Sequence, residues 1–168
     1  MAYRNKTYVC FDGDNDIKYY NLMKAWKEND NLDFDFYNAH DINNLWNGSN
    51  ENTIKIRLRE RLNNTKLMIV LVGESTKNLY RFVRWEIEMA LNMEIPIIAV
   101  NIIDDNTQIY DKFPPILRNE LVINVQFRQS LIRYSIDNWI TESDKLKRQE
   151  EKSNRVWVDR IYQELGLK

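Results

Sequence analysis

Two apolar runs constrain this chain more than any other feature: Leu67–Val72 (LMIVLV) and Pro96–Ile103 (PIIAVNII), the second broken only by Asn101. A strand apolar at every position, rather than at alternate ones, has no face to give to water. That is the pattern of a parallel strand covered on both sides. A helix-length segment from about Leu79 to Met93 separates the two runs, as a parallel crossover requires. Thr7–Phe11 (TYVCF) reads as a third buried strand closed by the acidic loop FDGDND, and Leu121–Val125 as a weaker one. Leu32–Tyr37 (LDFDFY) alternates apolar with acidic residues, which suits a half-exposed strand at a sheet edge. Asp14 or Asp16 is placed to cap a helix carrying Tyr19, Met23 and Trp26 and broken at Asn29–Asn31. Ile54, Leu58 and Leu62 mark one face of another helix. From Ser130 the pattern is helical, with a charged break near Asp144–Asn154 and a last amphipathic segment, Val156–Leu165. The expectation is one α/β domain of about five parallel strands with helices on both faces and an extra C-terminal helix. In such sheets ligands bind beyond the carboxyl ends of the strands. The FDGDND loop, Asn38–Trp46, Gly73–Thr76 and Asp104–Gln108 therefore share the rim where a site is expected.

The length of 168 residues suits a single domain, 1–168, with one hydrophobic core. Lys and Arg number 24 against 25 Asp and Glu, a formal charge of −1, without the basic excess of a nucleic-acid binder. With one cysteine (Cys10) and one histidine (His40), a Cys/His zinc site and an intramolecular disulfide are both impossible within one chain. No metal is expected. A lone cysteine in an apolar run fits a reducing compartment. No stretch approaches the roughly 20 apolar residues that cross a bilayer. The N-terminus MAYRNKTYVCF is too polar for a secretory signal. A cytoplasmic domain without membrane contact is expected.

The segment LYRFVRWEIEMALNM concentrates the chemistry. On a helical wheel Phe82, Val83, Ile87, Met89, Ala90 and Met93 cover one broad arc, while Arg84 and Glu88 pair on the opposite side. Glu86 falls in the middle of the apolar arc. A carboxylate placed there is costly unless it is paired or used, and active sites gather such groups. The plainer explanation is a structural ion pair, for instance with an arginine of the Ile54–Leu62 helix.

The stretch LNNTKLMIVLVGESTKNLYRFVRWEIEMAL resembles the strand–loop–helix core of TIR domains. It is closest to the TIR-like branch shared by an archaeal protein and the Thoeris antiphage system. The markers are Asn63-Asn64-Thr65 before the strand, Val70-Leu71-Val72-Gly73 at its end, Val83-Arg84-Trp85-Glu86-Ile87 on the helix, and Phe11–Asp16 after the first strand. The likeness spans about Thr7–Val100. Residues 130–168 lie beyond it as a helical C-terminal extension. It departs where the usual tryptophan-cysteine pair at the start of the helix is replaced by Phe82-Val83. The resemblance implies a flavodoxin-like three-layer sandwich and a nicotinamide–ribose bond of NAD cleaved with Glu86 as the catalytic carboxylate. The product would be ADP-ribose or a cyclic isomer that signals to an effector in antiphage defence. It further implies self-association through TIR-like surfaces. NAD would be the substrate, with no resident cofactor.

Position on the rim adds Phe11, Asp12 and Asn38 as candidate substrate contacts, and Trp46 as a candidate for stacking on a base. For each of them, and for Tyr37, packing is the commoner role. A non-catalytic TIR-like adaptor or nucleotide sensor is the alternative. A remoter one is a magnesium-dependent phosphatase of the haloacid dehalogenase type, for which Asp12 and Asp14 supply the aspartate pair but no threonine follows. An EF-hand fails on spacing, because Ile17 and Met23 stand where glycine and glutamate are needed. A phosphoreceiver fails because Gly73-Glu74 follows the central strand in place of an aspartate. Arg57, Arg59 and Arg61 read as a solvated face, and Leu131, Tyr134, Ile136, Trp139 and Ile140 as a docking face for the terminal helices or a partner rather than a cofactor site.

Overall fold

The computed structural model describes residues 6–29, 35–37, 50–78, 82–103 and 112–168. The apolar runs form the expected strands: β1 (Lys6–Cys10), β3 (Leu67–Val72), β4 (Ile97–Asn101) and β5 (Val122–Gln126). β2 (Asp35–Tyr37) flanks β1 at one edge, and a two-residue strand, β6 (Asn154–Arg155), flanks β5 at the other. The order is β2-β1-β3-β4-β5-β6 and every pairing is parallel. All six residues of β3 and all five of β4 are buried, which explains why neither shows alternation.

β6 is the addition to the expected five strands. Two polar residues carry no periodicity, so side chains hold it. Asn154 donates to the carbonyls of Leu117, Arg118 and Glu120, and Asn124 donates to its Oδ1.

Among the described residues five α-helices clothe the sheet: α1 (Ile17–Asn29), α2 (Glu51–Leu62), α3 (Phe82–Asn92), α4 (Gln129–Arg148) and α5 (Asp159–Glu164). Asn50 caps α2 by accepting from the Thr53 amide and hydroxyl, both at 2.9 Å. Ile54, Leu58 and Leu62 are its buried face. The expected start of α3 at Leu79 lies outside the described residues.

Alternation along β1 sends Tyr8 and Cys10 towards α3. Phe11, of opposite parity, stacks on Tyr20 of α1 with ring centroids 4.8 Å apart. Phe127, just past β5, packs against Tyr19 and Trp26 of the same helix. The core therefore has two layers, one on each side of the sheet, and the β1 and β3 carboxyl ends lie between them.

One boundary differs from expectation. The break placed at Asp144 begins at Gln149 instead, because Ser143 and Leu146 are still buried and keep α4 helical to Arg148. The face of α4 expected to dock the terminal helices or a partner packs within the chain: Leu131, Ile136 and Trp139 are buried, and Tyr134 and Trp139 meet Trp157 of the C-terminal segment edge-on at 5.1 and 5.9 Å.

Candidate functional site

Glu86 sits one turn into α3, with Val83, Ile87 and Ala90 buried around it, and is itself only 3% exposed. Among the described residues no arginine holds it. The hydroxyl of Tyr8 donates to Glu86 Oε1 at 2.8 Å, from the middle of β1 and 78 residues away in sequence. The structural ion pair considered from sequence is thus replaced by a neutral donor; Arg57 and Arg59 of α2 are exposed as the solvated face predicts, whereas Arg61 is half-buried and its charge reaches Tyr8. Arg84 pairs with Glu88 across the outer side of α3 at 2.9 Å.

Cys10 completes the cluster. Its thiol lies 4.0 Å from the Val83 carbonyl and close enough to Glu86 to act on its titration. Burial raises the Glu86 pKa from its ordinary 4.5 to about 7, against the opposing pull of hydrogen bonds from Cys10 and Tyr8. Burial, reinforced by the nearby Glu86 charge, also pushes the Tyr8 phenol and the Cys10 thiol well up. Both stay protonated around neutrality, so they are donors and Glu86 is the acceptor.

Asp12 has a different environment. Its Oδ1 accepts from the amides of Asp14 (3.0 Å) and Asn15 (3.4 Å), and its Oδ2 from Asn15 Nδ2 (2.7 Å) and Ser75 Oγ (2.8 Å). Burial would raise its pKa, but these donors together hold it below the ordinary value. An acid so saturated pins the β1–α1 loop to the β3–α3 turn, and is poorly suited to be a phosphatase nucleophile.

Asp16, which with Asp14 was a candidate cap, stands directly before α1, and its carbonyl accepts from the Tyr19 amide at 3.0 Å. Asp12 organises the loop, and Asp16 Oδ2 is buried without a partner. Burial and the neighbouring Asp12 charge raise the Asp16 pKa to about 6. The carboxyl presses on Gly73, where a Cβ would come within 2.4 Å of Oδ2. Only glycine fits there. A cavity of about 350 Å³ beside it is lined by Asn15, Asp16, Tyr19, Ser75 and Ile103.

Of the residues singled out from sequence, Asp12 thus lies past the carboxyl end of β1, bonded to Ser75 beyond β3, whereas Glu86 on α3 faces the middle of β1 in a separate cluster. Phe11 packs on the other side of the sheet against Tyr20. Asn38 and Trp46 lie outside the described residues. Tyr8 was missed, because a tyrosine in a buried strand looks like packing. The available signal was its period-two partnership with Cys10, which aligns the two polar tips on the face that meets α3.

A parallel sheet with β1 beside β3, and a buried glutamate one turn into the helix that follows β3, fits the arrangement the TIR-like resemblance implies. Residues 8–107 match the family described as Thoeris protein ThsB, TIR-like domain. The chain belongs to that family. The match takes in β1 to β4 and the helices between them, and so includes Tyr8, Cys10, Asp12 and Glu86. No helix among the described residues is long and apolar enough to cross a membrane.

Proposed function

We propose that this TIR-like protein cleaves the nicotinamide–ribose bond of NAD, with Glu86 as the catalytic carboxylate, and releases an ADP-ribose signalling product. Membership of the Thoeris family makes it defence-related. The observation that carries the catalytic reading is the buried Glu86, held by uncharged donors rather than by a countercharge.

The chemistry suits a single carboxylate. The C1′–N1 bond breaks with its electron pair going to nitrogen, so the pyridinium departs as neutral nicotinamide and needs no general acid. The positive charge that develops on the ribose is what requires stabilisation. A fixed carboxylate in a dry site supplies it at low reorganisation cost. Glycosidases add a second carboxyl because their leaving group must be protonated. Attack at C1′ by water gives ADP-ribose and a proton, and attack by a group of the substrate itself gives a cyclic isomer. An ion pair at Glu86 would have spent the negative charge that this step needs. At 3% exposure Glu86 is covered, so the ribose reaches it only when the covering side chains move. Self-association is the proposed trigger, and the product, diffusing away, the proposed link to an effector.

The test is NAD incubated with wild-type protein and with Glu86→Gln, under self-associating conditions and with extract of phage-infected cells, and the products separated by chromatography. Nicotinamide from the wild type alone supports the enzyme. A wild type that releases none, while Glu86→Gln still protects cells against phage, would establish the adaptor instead.

A further inference from the structure

Filling space in the core between β1 and α3 would require only a phenyl ring, yet Tyr8 brings a hydroxyl to Glu86 Oε1 at 2.8 Å, inside a layer where both residues are buried. No water competes for that bond, and a charge-assisted hydrogen bond in such surroundings is directional. We propose that Tyr8 is the positioning residue for Glu86: its hydroxyl fixes the plane of the carboxylate and favours the ionised form over the neutral acid. The inference rests on the reading of Glu86 as the group that stabilises the ribosyl cation.

The groups that bear on this pair come from three elements. β1 contributes Tyr8 and Cys10, α3 contributes Glu86, and Arg61 of α2 acts on the phenol from further off. Burial alone would leave Glu86 a neutral acid through much of the physiological range, useless for holding a cation. The phenol donor works against that by stabilising the carboxylate. Its own raised pKa keeps its proton in place at every working pH, so it never competes with Glu86 for the negative charge.

The test uses the full chain as wild type, Tyr8→Phe and Glu86→Gln, with glutamate carboxyl carbons labelled for a ¹³C NMR titration. The Glu86 resonance is the one missing from Glu86→Gln. The wild-type midpoint is expected at about 7, and the Tyr8→Phe midpoint above it, because a donor to the charged form is gone. Fluorotyrosine, whose more acidic phenol is a stronger donor of nearly unchanged shape, should move the midpoint down. In parallel, kcat for nicotinamide release by Tyr8→Phe should fall about tenfold at pH 7, with KM held within about twofold and the deficit shrinking as pH rises. An unchanged midpoint and an unchanged pH profile in Tyr8→Phe, whatever its melting temperature, would overturn the proposal and leave Tyr8 a packing residue. Should Tyr8→Phe fail to fold, the fluorotyrosine protein decides, and a midpoint that stays put overturns it. Undiminished nicotinamide release by Glu86→Gln would remove the catalytic reading itself. A silent Glu86→Gln beside a Tyr8→Phe indistinguishable from wild type removes only the role of Tyr8.

Discussion

At the scale of single residues, two buried carboxyls are held at a cost, and the sign of that cost is testable. Glu86 titrates at about 7 in the fold against an ordinary 4.5. For an acid whose folded pKa is raised, the cost is absent below the unfolded pKa, grows as pH rises between the two values, and is complete above the folded one. Glu86→Gln should therefore match the wild type near pH 4 and be more stable at pH 8 by about 3 kcal/mol, measured by urea denaturation at both pH values. A site strained for function has this signature, since its loss stabilises the fold. Asp16, raised from 3.8 to about 6, follows the same rule in a lower window. Asp16→Asn should gain about 1 kcal/mol above pH 6 and little near pH 4, allowing for solvent reaching the cavity beside it. Glu86 was legible in the sequence because an acid inside an apolar arc breaks a pattern. Tyr8 breaks none, and Asp16 stands where caps stand, so neither role could be read without the partner across the sheet.

At the scale of elements, helix ends carry strain that the sequence only half announces. α3, α4 and α5 all close with paired bonds of the Schellman type: Ile95 N to Ala90 O, Glu151 N to Leu146 O, and Leu167 N to Tyr162 O. The left-handed residue is glycine only at the last, Gly166; Glu94 and Glu150 hold positive φ of 56° and 58°. Replacing either with glycine should raise stability by about 1 kcal/mol, seen as a higher melting temperature with the fold unchanged. Gly73 is the converse. Gly73→Ala should cost about 1–3 kcal/mol because its methyl meets the Asp16 carboxyl, and Asp16→Ala in the same chain should return part of that loss, a coupling that a double-mutant cycle reads directly. β6 and the true end of α4 escaped the sequence for related reasons. The first depends on Asn154 reaching three carbonyls, and the second on Ser143 and Leu146 finding cover within a stretch that reads as charged.

At the scale of the molecule, the parallel sheet was the most legible feature, because β3 and β4 leave no residue for water and so admit no other arrangement. The family match ends at residue 107, but the sheet does not: β5, β6 and α4 complete it. Trp139 of α4 is fully buried and meets Trp157 at 5.9 Å, perpendicular. Trp139→Ala should cost about 3–5 kcal/mol and lower the single melting transition of the whole domain. On that scaffold one charge decides the proposed activity: Glu86, ionised and dry, is proposed to stabilise the ribosyl cation of NAD. The measurement that tests it most directly is the pH dependence of nicotinamide release by activated wild-type protein and by Glu86→Gln. The expected result is a wild-type rate that climbs through about pH 7, as Glu86 ionises, to a plateau, with no release by Glu86→Gln at any pH although it is folded. Release by Glu86→Gln at the wild-type rate, or a wild-type rate indifferent to pH across that range, would contradict it.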